Sequence, residues 1–219
     1  MIVSPTIEEY LEQIYRLEEE SGVARTKSIA ERVGVRLGTV TNTIETLKQK
    51  QLITHKPYRG VKLTKGGRKI ATEIIRRHRL AECLLVDFLK IGWSSAHDHA
   101  CRFEHVITEE LVKPIERALG HPTTCPHGNP IPKACGGILE EKSKSLIEIN
   151  ETEKRAVKKI VREEKELLKY LEHLHLIPGV SFEVVEKAPF DGPITLEIDG
   201  EKRSISRKTA ALIWVSEEE

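Results

Sequence analysis

The stretch that decides the fold is residues 26–64, TKSIAERVGVRLGTVTNTIETLKQKQLITHKPYRGVKLT. A short apolar pattern after Thr26 predicts a helix that ends in a tight turn at Gly34. A second helix is predicted over residues 37–51. Two β-prone runs flank Pro57–Gly60 and predict a hairpin. Helix, turn, helix and hairpin in this order predict a winged helix-turn-helix.

Charge is distributed unevenly along the chain. Residues 25–79 contain 15 Lys and Arg against 3 Asp and Glu, a net charge of +12, whereas residues 80–219 have a net charge of −6. A basic block is the electrostatic signature of a polyanionic partner. A solvated charged face is the alternative interpretation. Together with a wing, the basic block predicts DNA binding.

The helix over residues 37–51 is the predicted recognition helix, whose first residues reach base edges in the major groove. The residues that we predict to contact DNA are Arg36, Gly38, Thr39, Asn42, Lys27, Lys56 and Arg59. Asn42 can bond adenine through two atoms, and the Thr39 methyl can pack on a thymine methyl. Arg36 suits guanine or phosphate. A helical packing module without nucleic acid is the alternative.

A second feature is a helix face rich in metal-ligand side chains. His97, Cys101, Glu104 and His105 fall within an arc of about 100° on one helix, and His78 and Glu82 form an i, i+4 pair on the preceding helix. Burying these groups together is costly unless a cation neutralises them. We assign His97, His78 and Glu82 to one metal site. A second site takes Cys101, Glu104 and His105.

The second site needs a ligand from elsewhere, and Glu9 is the candidate, with Glu12 behind it. The alternative for Glu9 is a capping box with Thr6, and for Glu12 a solvated helix face. If Glu9 is a ligand, metal fixes the start of the first helix and hence the DNA-binding domain. In that case the DNA-binding domain has two conformations, and metal favours the one that fits DNA.

Composition sets the broad class of the protein. The chain has 219 residues, of which 32% are charged and 5% aromatic, as expected for a helical, soluble protein of more than one domain. Because we see no signal peptide and no apolar run that could span a bilayer, we expect a cytoplasmic protein with no membrane partner. Its four cysteines are then thiols or ligands rather than disulfides. Cys125, His127 and Cys135 are spaced too loosely to predict a zinc site.

Four stretches of the chain resemble the diphtheria toxin repressor family of iron-dependent and manganese-dependent repressors. They are Thr6–Tyr15 (TIEEYLEQIY), Arg77–Leu85 (RHRLAECLL), His97–Val106 (HDHACRFEHV) and Gly128–Pro132 (GNPIP). The resemblance implies a mainly α fold with a winged helix-turn-helix domain over residues 1–74 and a helical metal-binding and dimerisation domain over 75–140. A small SH3-like β-barrel domain is expected over 144–219. Within that last domain we expect a helix over 153–173 and several short strands.

The resemblance also implies two metal sites in each subunit. The family's ancillary site matches His78, Glu82 and His97, and the third domain can add a ligand, for which Glu164 is the best alignment. The second ligand position that the family's third domain offers falls near Leu167, whose apolar side chain cannot bind a metal. The primary site matches Cys101, Glu104 and His105, with Glu9 where the iron branch has methionine. The manganese branch has carboxylates at positions 9 and 12 but lacks the cysteine.

The resemblance implies a homodimer that binds palindromic operator DNA when loaded with Fe²⁺ or Mn²⁺. Thiolate favours Fe²⁺, whereas Glu9 favours Mn²⁺, and we favour Fe²⁺. Zn²⁺, Co²⁺ and Ni²⁺ are expected to substitute in vitro. The predicted function is a metal-dependent repressor of metal-uptake genes rather than an enzyme, because the motifs include no nucleophile or phosphate loop. The alternatives are a manganese-specific repressor and a winged-helix regulator that metal does not gate.

Overall fold

A computed structural model describes residues 4–56, 59–133 and 142–217. The chain forms two compact units. Of the described residues, the first unit comprises 4–56, 59–77 and 132–133, and the second comprises 78–131 and 142–217. The long helix α4 (Lys65–Cys83) begins in the first unit and continues into the second.

The first unit is a winged helix-turn-helix. It contains helices α1 (Pro5–Ser21), α2 (Thr26–Val33) and α3 (Leu37–Gln49), strands β1 (Ile53–Lys56) and β2 (Gly60–Leu63), and the first part of α4. The strands pair antiparallel, with Ile53 opposite Leu63. Gly34 adopts φ +72° and donates its N–H to the Ala30 carbonyl, which ends α2 in the predicted turn. The core residues include Leu11, Ile14, Ile29, Val40, Ile44, Leu47 and Ile74.

The start of α1 differs from the prediction. The helix begins at Pro5, with Ser4 as its cap residue and no side-chain capping bond. Proline suits this first helical position because its missing N–H would have no partner there. The predicted capping box between Thr6 and Glu9 is therefore wrong.

A buried carboxylate joins α1 to the wing. Leu63 donates its backbone N–H to Glu18 Oε1 at 2.6 Å, and Arg68 of α4 pairs with the other carboxylate oxygen. Glu18 is buried, so this pairing satisfies a charge that would otherwise be costly to bury. The end of α1 thus sets where β2 lies.

The helical part of the second unit begins at residue 78. A π-helical turn at Leu84–Phe88 ends the long helix. Helices α5 (Trp93–Phe103) and α6 (Glu109–Ala118) follow. A small apolar core holds them together, made of Ala81, Leu85, Ala96, Ala100 and Ile107.

The C-terminal part of the second unit is a six-stranded antiparallel sheet. Its strands are β3 (Ser143–Ser145), β4 (Lys154–Ile160), β5 (Ser181–Lys187), β6 (Ile194–Ile198), β7 (Glu201–Ile205) and β8 (Ile213–Ser216), in the order β3-β8-β4-β5-β6-β7. Helices α7 (Lys165–His173) and α8 (Arg207–Ala210) accompany the sheet. Within residues 142–217 the two end strands do not pair with each other, so the predicted barrel is not closed by hydrogen bonds.

One element of this part was predicted wrongly. The helix expected over 153–173 is instead strand β4 followed by α7. Val157 and Ile160 turn into the sheet core, and β4 pairs with both β5 and β8. Long-range pairing therefore overrides the local helical preference of a lysine-rich segment. None of the described helices is long and apolar enough to cross a membrane.

Candidate metal centre

Helices α4 and α5 bring three predicted ligands together in the second unit. His78 and Glu82 lie one turn apart on α4, and both are fully buried. His78 Nε2 is 3.0 Å from Glu82 Oε1 and 3.2 Å from His97 Nδ1. His97 Nδ1 is also 3.2 Å from Glu82 Oε1. Glu82 is thus the centre of the group that the sequence assigned to the ancillary site.

The C-terminal part of the unit adds a carboxylate to this group, but from Glu163. Its Oε2 lies 3.3 Å from His97 Nδ1, and the residue is buried. The predicted residue, Glu164, has a side chain that is 66% exposed and faces Arg162. Helix α7 packs on α5 through the pairs Lys165–Asp98 and Ser94–Glu172, and Glu163, two residues before α7, lies beside His97. The geometry therefore favours Glu163 over Glu164.

A loop over residues 124–131 supplies further donors. His127 Nδ1 lies 3.0 Å from Glu82 Oε1, and Cys125 belongs to the same buried group of Glu82, His127 and Glu163. The Trp93 side chain donates to the Pro126 carbonyl at 2.8 Å, which fixes the loop on α5. Cys135 lies outside the described residues. The signal for this group in the sequence is the short C-x-H spacing directly before the GNPIP motif, a spacing too loose to predict a zinc site by itself.

Close backbone packing positions this loop on β4. Gly128 has φ +83°, and a Cβ atom built there would lie 1.9 Å from the Lys158 carbonyl oxygen. Asn129, the next residue, donates from Nδ2 to Glu163 Oε1 at 2.6 Å and to the Ile160 carbonyl at 2.9 Å. The loop therefore holds both its own donors and the carboxylate of Glu163.

Glu104 and His78, which the sequence assigned to different sites, are joined. His78 Nδ1 lies 2.6 Å from Glu104 Oε2. Such a carboxylate fixes the tautomer of a histidine and directs its other nitrogen at a metal. Of the remaining predicted residues, Cys101 Sγ lies 3.5 Å from His97 Nε2, and His105 Nε2 lies 3.5 Å from Glu104 Oε1.

The charges of these groups depend on one another. Burial disfavours ionisation of Glu82, but His127 and His78 outweigh it and hold the pKa of this carboxyl well below its usual value. Burial opposes protonation of His97, but hydrogen bonds with Cys101, Glu163 and Glu82 raise its pKa to about 11. The pKa of His78 is also raised, against burial, by the charge of Glu82. Burial would raise the pKa of Cys101, yet hydrogen bonds with the two histidines lower it to about 7.

These shifts predict that metal binding releases protons. A histidine nitrogen must lose its proton to coordinate an ion, and a pKa of about 11 leaves His97 protonated at neutral pH in the metal-free protein. We expect at least one proton per ion and a metal affinity that rises with pH. Calorimetric titration with Mn²⁺ in buffers of different ionisation heat measures this number. A heat of binding that is the same in every buffer would contradict the assignment.

The donor set fits a divalent cation. Each of three overlapping groups has donor atoms within 4.8 Å of one another: His78, His97 and Cys101; His78, Glu82, His97 and Glu163; and Glu82, Cys125, His127 and Glu163. Glu82 Oε2 is buried without a hydrogen-bond partner, which is unusual for a carboxylate oxygen. Nitrogen, oxygen and sulfur donors of this kind suit first-row divalent metals.

The two predicted ligands of α1 lie in the first unit. Glu12 is almost completely buried and accepts a hydrogen bond from Arg16 at 2.9 Å. Glu9 is half-buried, and Gln13 is within 3.5 Å of its carboxylate. Their place in a primary metal site stays a prediction.

The predicted DNA contacts are all on the surface of the first unit. Arg36 directly precedes α3, and Gly38, Thr39 and Asn42 lie on its first turns. These four residues are exposed, and so are Lys27, Lys56 and Arg59. The arrangement leaves the start of α3 open to a partner.

Family comparisons cover almost the whole chain. Residues 3–61 match the iron dependent repressor, N-terminal DNA binding domain, and residues 64–133 match the iron dependent repressor, metal binding and dimerisation domain. Residues 144–217 match the FeoA domain.

Individual relatives agree with these matches. The iron-dependent repressor IdeR of Mycobacterium tuberculosis is 41% identical over 135 residues, which are 62% of this chain and 57% of the relative. The chain therefore matches little more than half the length of this curated relative.

Solved structures match a larger share of this chain and of their own. A manganese-dependent transcriptional repressor in complex with manganese superposes with a TM-score of 0.87 and 30% identity, covering 96% of this chain and 99% of that one. IdeR of T. acidophilum gives a TM-score of 0.85 and 28% identity, covering 99% and 100%.

Proposed function

Because the chain belongs to the iron-dependent repressor family, we propose that it is a transcriptional repressor that binds operator DNA when it is loaded with a divalent metal. The observation that carries the proposal is the buried carboxylate of Glu82 among three histidines, with one oxygen lacking a partner. A cation satisfies that oxygen. The regulated genes are those of metal uptake and homeostasis, and the protein acts in the cytoplasm and is not an enzyme.

We assign two metal ions to each subunit. His78, Glu82, His97 and Glu163 hold the first, and Cys125 and His127 offer further donors that share Glu82 and Glu163. Cys101, Glu104 and His105 hold the second, completed by Glu9 or Glu12. Bound metal fixes α1, and with it the helix-turn-helix, in the state that fits DNA.

Fe²⁺ is our favoured ion because the donors include thiolate, and Mn²⁺ is the alternative because they also include several carboxylates. Zn²⁺, Co²⁺ and Ni²⁺ bind similar donors, so we expect them to substitute in vitro. The domain boundaries at residues 1–74, 75–140 and 144–219 are part of the same proposal.

An exposed apolar segment supports a homodimer. Five of the large apolar side chains exposed in the described chain fall within residues 88–111: Phe88, Leu89, Phe103, Val106 and Leu111. Helix α6, which begins at the end of this segment, buries none of its own residues. A concentration of exposed apolar side chains marks an interaction surface. A symmetric dimer would present two recognition helices to a palindromic operator.

The dimer assignment predicts the effect of one substitution. Phe88 is 66% exposed, so Phe88→Glu should leave the fold of the subunit intact while placing a charge in the interface. We expect a monomer at micromolar concentration by size-exclusion chromatography with light scattering. Tyr170→Glu, at an exposed position on α7, is the matched control and should remain dimeric. A Phe88→Glu variant that stays dimeric would contradict the assignment.

Selection of DNA tests the proposed function. The full chain is loaded anaerobically with Fe²⁺ or Mn²⁺ and incubated with a library of random duplexes, and the bound duplexes are amplified. We expect enrichment of one palindromic sequence with metal and none with chelator. Enrichment that is equal with and without metal would identify a winged-helix regulator that metal does not gate. No enrichment in either case would contradict DNA binding.

A further inference from the structure

Trp93, the first residue of α5, contacts the loop over residues 124–131 through both its side chain and its backbone. Its indole Nε1 donates to the Pro126 carbonyl at 2.8 Å. Its own carbonyl oxygen lies 3.2 Å from His127 Nε2. The centroids of the indole and the His127 imidazole are 4.8 Å apart, and the two rings are tilted by 57°. Trp93 therefore holds the backbone of the loop and one of its donor side chains.

The contact with His127 decides which imidazole nitrogen can bind a metal. A carbonyl oxygen only accepts hydrogen bonds, so the Nε2 atom that faces Trp93 must carry a hydrogen. Nδ1 is then the nitrogen left to coordinate an ion, and it lies 3.0 Å from Glu82 Oε1. Backbone carbonyls fix the tautomer and the ring orientation of metal-binding histidines in this way. Trp93 thus directs His127 Nδ1 at the shared carboxylate.

The indole of Trp93 is held in turn by the C-terminal sheet. It is partly buried and packs against the apolar core of that sheet, as Leu167, Leu174 and Val180 do. An indole suits this place because its rings are apolar while its N–H reaches a polar partner. The position of the loop is therefore tied to the sheet core through one side chain.

The donors that depend on this contact differ in kind from the others. Cys125 and His127 reach the metal group only through the loop, whereas His78 and Glu82 lie on α4 and His97 on α5. Displacing the loop removes a thiol and an imidazole but leaves the carboxylate and imidazole donors of the helices. Thiolate and imidazole favour Co²⁺, Fe²⁺ and Zn²⁺, whereas Mn²⁺ is well served by carboxylates.

We propose that Trp93 is a positioning residue that sets the metal preference of the centre, because it holds Cys125 and His127 against Glu82. Its indole does not touch the ion. The inference rests on the proposed function, in which the loop donors share Glu82, and it adds the residue that decides whether they take part. With Trp93 in place the centre favours Co²⁺, Fe²⁺ and Zn²⁺ relative to Mn²⁺.

Trp93→Phe tests the proposal, because it keeps an aromatic ring on the sheet core but removes the N–H that binds the loop. The full chain is titrated anaerobically with Co²⁺ and, separately, with Mn²⁺ by calorimetry. We expect the affinity for Co²⁺ to fall about tenfold, as for other lost partners of metal ligands, and the affinity for Mn²⁺ to fall less. The Co²⁺ complex should also lose the part of its sulfur-to-cobalt absorption that Cys125→Ser removes.

Trp214→Phe is the matched control. Trp214 lies on β8, where the Lys159 ammonium is 4.7 Å from the centroid of its ring. This variant should keep the affinity for both metals and the full sulfur-to-cobalt absorption. A measurement on the unsubstituted chain removes any dependence on folding of a variant: NMR of the Zn²⁺-loaded protein should show the ion on His127 Nδ1 and a hydrogen on Nε2.

Three results would overturn the inference and leave metal-dependent repression standing, because operator binding is measured separately. They are an unchanged Co²⁺ affinity in Trp93→Phe, equal falls in affinity for Co²⁺ and Mn²⁺, and an ion bound to His127 Nε2. Equal falls would mean that Trp93 only stabilises the fold. If Cys125→Ser and His127→Ala both leave Co²⁺ binding unchanged, the loop donors are not ligands, which overturns this inference and their place in the proposed site together. Operator binding that ignores metal would instead overturn the proposed function.

Discussion

Replacing Glu104 by glutamine is expected to weaken metal-dependent DNA binding strongly. Glu104 is buried, its Oε2 lies 2.6 Å from His78 Nδ1, and it is itself the predicted carboxylate ligand of the primary site. The substitution keeps the size of the side chain but removes the charge that orients His78 and the charge that would meet an ion. A lost ligand or orienting partner costs about 10–100-fold in metal affinity, and here both proposed sites lose one.

Fluorescence anisotropy of a labelled operator, titrated with Mn²⁺, measures the effect. The metal concentration needed for half-maximal DNA binding should rise by about 100-fold or more. Glu110→Gln is the matched control, because Glu110 is exposed at the start of α6 and belongs to no donor group among the described residues. An unchanged midpoint for Glu104→Gln would show that the link between the two sites has no part in activation.

Gly128→Ala is expected to displace the loop that carries Cys125 and His127. The new Cβ atom would meet the Lys158 carbonyl oxygen at 1.9 Å, and alanine at φ +83° is strained as well. A backbone atom cannot rotate away as a flexible side chain can, so the loop must leave β4. We expect a loss of about 3 kcal/mol or more in the free energy of unfolding and weaker metal binding.

Gly120→Ala separates strain from collision. Gly120 has φ +71°, but nothing lies within 4 Å of a Cβ atom built there. The free energy of unfolding of this variant should therefore fall only by the cost of a left-handed backbone conformation, about 1–2 kcal/mol. Urea unfolding compares the two variants, and Co²⁺ absorption reports the metal site. Equal losses for both variants would mean that the contact between Gly128 and β4 does not hold the loop.

Local patterns were sufficient to predict the winged helix-turn-helix and the group of His78, Glu82 and His97. Both depend on helical spacing within short segments, and on two helices that follow each other directly in the chain. The turn at Gly34 is likewise a local signal, because glycine adopts the left-handed conformation without strain.

Long-range contacts explain what the sequence could not reveal. Glu163 joins the group because α7 packs on α5, and His127 because Gly128 permits close approach to β4. Neither contact leaves a periodic pattern in the sequence, so alignment favours Glu164, and the spacing of Cys125 and His127 does not predict a metal site. The prediction of a helix in place of the lysine-rich strand β4 is wrong for the same reason, since the partners of β4, strands β5 and β8, come later in the chain.

The most direct measurement of the central claim is an anaerobic titration of the full chain with Fe²⁺ and, separately, with Mn²⁺, while its binding to the selected operator duplex is followed. We predict that binding appears only as metal is added, saturates at two ions per subunit, and disappears on addition of chelator. The ion with the lower midpoint identifies the better activator. Operator binding that is equally strong in chelator and in saturating metal would contradict metal-dependent repression.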